Sequence, residues 1–141
     1  MNRTLLFVFS VLVMRLAMAT AMADVVPIVS AQSTVTTLSQ NQLTDIFLGK
    51  VSRFPNGLPA VPIDLPEGSA VRVEFYGKFF GKTSAQIRAF WAKVIFTGRG
   101  QPPREVPDGA AMKKLVVQNV NAIGYVERDM LDPSVKVLSE P

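Results

Sequence analysis

Chemistry in this chain is best sought at Glu67-Gly68-Ser69, which follows an apolar stretch and stands directly before a segment that has helical spacing. A helix start leaves N–H groups without partners and carries partial positive charge. Glycine lets an anion approach the backbone, and the Ser69 hydroxyl can donate, so phosphate, sulfate or a carboxylate is the ligand class such a spot would hold through Glu67, Gly68, Ser69 and Ala70. The plainer reading is that Ser69 only caps a helix. Arg72 adds a charge. On a helical wheel it falls amid Val71, Phe75 and Phe79 on one side and Val73, Tyr76 and Phe80 on the other, so its head must snorkel, pair or face a cleft. It either points toward a bound anion one turn away or packs its stem over core rings with its head in water or on Glu67 or Asp64.

Other candidates are weaker. Thr97-Gly98-Arg99-Gly100 could wrap an oxyanion with backbone amides, which puts Arg99 on the list, although a glycine-rich turn needs no ligand. Gly81-Lys82-Thr83 resembles the end of a phosphate loop, but that motif requires a glycine where Tyr76 stands. Asp64 and Glu67 are close enough in sequence to raise general acid–base work, yet strand-loop-helix spacing does not make their side chains converge. The chain has no Cys and no His, which removes disulfides, thiolate or imidazole metal sites and any Cys-His or Ser-His-Asp nucleophile. The expectation is a non-enzymatic protein with no catalytic residues, no metal site and no cofactor.

The elements that must position these residues are short. Val25 to Val29, broken by Pro27, reads as an edge strand or the first residues of one. Ser39 caps a helix through Leu48 that buries Leu43, Ile46 and Phe47, with Gly49 at its stop. Ser52 to Pro62 is loop, and Val61 to Leu65 is a second strand. Ala70 to Tyr76 fits both a strand, by alternation, and a helix, by the four-residue recurrence of Val71, Phe75 and Phe79. Thr83 and Gln86 form a capping box before Ile87, Phe90, Trp91, Val94 and Ile95 at helical spacing. Thr97 to Asp108 is a stiff connecting loop rich in Gly and Pro, Asp108 caps a helix from Gly109 to Asn119, and Ala122 to Val126 and Val135 to Leu138 are strands. Strands alternating with helices predict α/β layers.

Upstream of all this, Met1-Asn2-Arg3, the apolar run Leu5 to Met14 and the small-x-small Ala21-Met22-Ala23 have the order of an export signal. Residues 1–23 are expected to be removed, leaving 24–141 as one domain outside the cytoplasm with no stable membrane insertion. Without Arg3 and Arg15 the 15 basic residues become 13 against 11 acidic ones, scattered among each other, which argues against nucleic acid as a partner.

Leu43-Thr44-Asp45-Ile46-Phe47-Leu48-Gly49-Lys50, the Gly68-Ser69 helix start, Phe75, Trp91, Gly98 and Ala122-Ile123-Gly124-Tyr125-Val126 resemble, in order, one lobe of the phosphate-binding periplasmic proteins of ABC transporters. The match runs from about Leu38 to Leu138. It is similar in particular to the short single-lobe members, whose strand-to-helix segment reads much like Val61 to Ser69. The resemblance implies the fold of a single lobe of a type 2 periplasmic-binding protein, a short mixed sheet flanked by helices, with Ala70 to Phe80 helical. It implies a solute-binding-like protein in the periplasm whose ligand is a small, phosphate-like oxyanion.

Full-length relatives close two lobes on phosphate and use an Arg-x-Asp-Gly-Ser-Gly-Thr segment, which lines up here with Leu65 to Val71. Gly68 and Ser69 carry over, and Glu67 replaces the Asp that accepts a phosphate proton. Leu65 stands in place of the anion-binding Arg, and Val71 in place of a hydroxyl. Two donors are lost, so the expected binding is weak. The alternative is an interaction protein without a small ligand, which docks a protein partner or a second copy through the surface left by the missing lobe.

Overall fold

The computed structural model describes residues 24–139; the expected export signal, residues 1–23, lies outside the described residues. Five strands form one sheet: β1 (Val25–Ser30), β2 (Val61–Asp64), β3 (Arg104–Glu105), β4 (Ala122–Glu127) and β5 (Val135–Val137), in the order β3-β2-β4-β1-β5. β1 runs antiparallel to both β4 and β5, whereas β2 lies parallel to β4 and to β3, so the sheet is mixed.

Among the described residues, four α-helices flank it. α1 (Gln40–Phe47) starts at a reciprocal Ser39–Gln42 capping box and buries Leu43, Ile46 and Phe47. α2 (Ala70–Phe75) is capped by Ser69 and widens into a π-helical turn (Tyr76–Phe80) that stops at Gly81, where φ is 62°. α3 (Ser84–Phe96) has its own Thr83–Gln86 capping box. α4 (Gly109–Gln118) is capped by Asp108, whose carboxylate accepts the Ala111 N–H at 2.9 Å.

The strand block Ile123-Gly124-Tyr125 shows why helices cover both faces of the sheet. Successive residues of a strand point to opposite sides. On one side, a Cβ at Gly124 would collide with Met112 Sδ and lie 3.2 Å from Val116 Cγ2, so α4 packs against bare backbone. On the other, Tyr125 stacks on Phe75 of α2 with centroids 3.9 Å apart, and Phe47 of α1 meets the Phe75 ring edge-on at 5.1 Å. Phe79 and Phe80 extend that aromatic cluster, each 5.2 Å from Phe75. Burying one such ring contributes about 1.5–3 kcal/mol.

Two expectations need correction. β1 is an interior strand with all six residues buried, not an edge. Pro27 is tolerated because the pairing of β5 with β1 begins at Ile28, and the Pro27 carbonyl takes the Leu138 N–H at 3.0 Å just where that strand runs out. The loop expected over Thr97 to Asp108 contains β3, a two-residue strand held parallel to β2 through Ile63 and Asp64. The other elements follow the expected order, and Ala70 to Phe80 is helical, with the wider turn from Tyr76.

Candidate functional site

The C-terminal end of β2 delivers Asp64 into the core, where it is 2% exposed. An isolated buried carboxylate is costly unless its lone pairs are met by donors. Here four donors converge on it. Oδ1 accepts from the Tyr125 hydroxyl, from the Leu65 N–H at 2.9 Å and from Arg72 Nε at 3.3 Å, while Oδ2 accepts from the Tyr76 hydroxyl at 2.6 Å. Burial, and then the adjacent Asp64 charge, push both tyrosine hydroxyls far above their ordinary pKa, so both remain protonated donors. Arg72 is 8% exposed, with its guanidinium carbon 5.0 Å from the centroid of the Tyr76 ring. Burial opposes its charge, but Asp64 outweighs that and raises its pKa.

Of the two placements open to Arg72 in the sequence, the structure takes the ion pair with Asp64. Its orientation follows from Ser69. The hydroxyl of Ser69 accepts the Arg72 N–H at 3.2 Å, which fixes the first turn of α2 and aims the side chain back at the end of β2. Ser69 is half-buried, while Gly68 and Ala70 are exposed. No atom lies within 4 Å of where a Cβ on Gly68 would sit, so the backbone at the helix start is open to approach. Glu67 is exposed and accepts from Arg88 Nε of α3 at 2.7 Å; that hydrogen bond, followed by the charges of Arg88 and Arg72, holds its carboxyl below the usual range.

Arg99 stands apart from this group. Gly98, at φ 67°, donates its N–H to Ile95 O at 3.0 Å, and Arg99 donates to Val94 O at 3.1 Å, the paired bonds of a Schellman helix stop. Those two amides, which the sequence offered as an oxyanion wrap, are spent on closing α3. The Asp64–Glu67 pair does not converge either: Asp64 is sealed under two tyrosines and an arginine, and Glu67 lies at the surface on Arg88.

Beside the helix start, a cavity of about 290 Å³ opens between α2, α3 and β3, bordered by Arg72, Arg88, Glu67, Glu105, Trp91 and Ile95. A second cavity of about 290 Å³ lies on the far side of Trp91 against α1 and β2 and is mostly apolar. Sequence reasoning did not place Arg88, Glu105 or the two tyrosines here. The signal available was a tyrosine within each of two apolar segments, since a buried phenol must find a partner. Among the described residues no group of three or more Asp, Glu, Cys or His is placed to hold a metal ion, and no helix is long and apolar enough to cross a membrane.

No protein-family model matches the sequence, and no curated protein matches it. Solved structures do. A protein described as a phosphate ABC transporter substrate-binding protein with bound phosphate, from Clostridium perfringens, superposes with a TM-score of 0.64 at 22% identity, covering 82% of this chain and 44% of that one. An ABC-type phosphate transport receptor from Vibrio cholerae gives 0.64 at 19% identity, covering 82% and 45%. PstS from Borrelia burgdorferi gives 0.56 at 15% identity, covering 83% and 47%. The chain thus spans less than half the length of each. The likeness is one of fold: the chain has the architecture of a single lobe of a type 2 periplasmic-binding protein.

Proposed function

We propose that residues 24–141 act outside the cytoplasm, after removal of residues 1–23, as a non-enzymatic solute-binding-like domain that holds a small phosphate-like oxyanion weakly at the start of α2. The observation that carries this reading is the open helix start: Gly68 and Ala70 are exposed, nothing crowds Gly68, and the Ser69 hydroxyl keeps its proton to donate while its oxygen caps the helix. Arg72 contributes a positive charge from behind, with its Nε held on Asp64.

Weakness follows from the same geometry. An exposed helix start buries little of a ligand, Leu65 and Val71 offer no side-chain donor, and each missing charge-assisted hydrogen bond removes about 1.5–3 kcal/mol. The dissociation constant for phosphate should be about 1 mM or weaker. Isothermal titration of residues 24–141 with phosphate tests this, paired with Ser69→Asp. Aspartate caps a helix as well as serine does, so the fold survives, yet its charge occupies the anion position. Sub-micromolar affinity, or binding unchanged in Ser69→Asp, would refute the site.

One observation favours a second reading, docking through an apolar surface. Phe96 is 92% exposed beside Ile95 at 55%, both at the end of α3. Light scattering across a concentration series, with Phe96→Ser as the control, decides it: the self-association form of this reading requires a dimer that the substitution abolishes.

A further inference from the structure

The charges that border the cavity between α2, α3 and β3 do not suit a simple anion. Arg72 and Arg88 supply two positive groups; Glu67, Glu105 and the Asp64 behind Arg72 supply three negative ones. Two of these pairs are already made, Arg72 with Asp64 and Arg88 with Glu67, which leaves the carboxylate of Glu105 as the unmatched charge. A multiply charged oxyanion entering this cavity meets a net negative wall. A ligand carrying both signs does not.

We infer that this cavity, which adjoins the proposed helix-start site and shares Glu67 and Arg72 with it, binds a small zwitterion with an apolar side chain, of the class of a free aliphatic amino acid. Arg72 spends only Nε–H on Asp64; its two terminal nitrogens make no hydrogen bond to another described residue and are not among the buried unpartnered atoms, so they remain available at the cavity for a carboxylate. The Asp64 network holds that guanidinium in one orientation, which is the preorganisation a binding site requires. Glu105, carried on the edge strand β3 in register with Asp64, is the counter-group for an ammonium. Trp91 and Ile95 form the apolar wall. The volume, about 290 Å³, sits near the lower end for small-molecule pockets, about 300 Å³, and suits a ligand of amino-acid size.

Trp91 also supplies a readout. It is the only tryptophan of the chain, and its indole N–H is buried with no partner among the described residues. Trp91 borders the cavity, so its fluorescence reports on occupancy there.

The test is a fluorescence and calorimetric titration of residues 24–141 with L-leucine, with 4-methylpentanoate, which lacks the ammonium, and with 3-methylbutylamine, which lacks the carboxylate. Leucine should bind, with both analogues weaker by about tenfold or more, the loss of one charge-assisted contact. Glu105→Gln, an exposed position whose substitution circular dichroism should show to be folded, should bring leucine down to the level of 4-methylpentanoate. Leucine that gives no signal at about 10 mM, where a ligand of millimolar affinity is bound, overturns the site. So does 4-methylpentanoate binding as tightly as leucine in the unsubstituted chain, or a leucine preference that persists in Glu105→Gln. Phosphate titrated in parallel on Ser69→Asp separates the failure of this inference from that of the helix-start site.

Discussion

Replacing Asp64 with asparagine removes one charge and almost no volume, which makes it the sharpest probe of what fixes Arg72. In the native chain the carboxylate accepts from two tyrosines, one amide and one guanidinium. Asparagine keeps one acceptor oxygen but turns the other position into a donor, so at least one of the facing donors loses its acceptor. Breaking a buried ion pair from one side costs about 3–5 kcal/mol because the surviving charge is left uncompensated. Arg72 borders the cavity and is not wholly sealed, which places the expected loss at the lower end, about 3 kcal/mol. Against a total stability of about 5–15 kcal/mol for a domain of this size, that is a large share. Urea unfolding of residues 24–141, followed by Trp91 fluorescence, should show a lower midpoint at unchanged slope. Tyr125→Phe, which removes one donor to the same carboxylate, should couple to Asp64→Asn non-additively. A loss below about 1 kcal/mol for Asp64→Asn, or strict additivity of the two changes, would show that the cluster does not hold Arg72 as a unit.

The remaining predictions concern the frame around that cluster. Gly124→Ala should destabilise by about 1–3 kcal/mol, because the added methyl drives Met112 and Val116 away from β4; thermal unfolding checks it, and a neutral result would mean that α4 moves aside freely. Stability should also fall at high pH. Tyr76 and Tyr125 are the only tyrosines, and both have pKa values raised by folding, so their contribution is fully present below about pH 10 and is lost as pH rises toward the folded values. Well above pH 10 the unfolded chain binds two fewer protons than the native one, giving a fall of about 2.7 kcal/mol per pH unit, which Tyr76→Phe should halve in urea titrations.

Much of this fold was legible because capping chemistry and helical spacing are local properties. Ser39, Thr83 with Gln86, and Asp108 mark helix starts that the structure reproduces. The resemblance settled the segment after Ser69, where periodicity alone allowed two answers. What stayed hidden depends on partners distant in sequence. Pro27 argued for an edge, yet which strands flank β1 is decided by residues 122–137. Two residues are too few for any period, so β3 left no trace between its prolines. At the site, Glu67, Gly68, Ser69 and Ala70 lie together because they are contiguous, with only Ser69 half-buried. Arg72 was an open choice, and only the meeting of β2, β4 and α2 decides for Asp64. Arg99 was suggested by glycines whose purpose was to stop a helix.

The strand order ties the two ends of the domain together. β1, the first element of the domain, has no neighbour in the sheet until β4 and β5 exist, and Asp24 just before it is held by Lys78 at 2.9 Å and by Arg128 at 2.6 Å. Closing a loop of that length is entropically slow, and no strong local pairing can substitute for it. A chain emerging from its N-terminus therefore has to wait for nearly all of itself before this interior strand can be enclosed. Delay of this kind leaves most of the polypeptide open along its length until the last strands arrive.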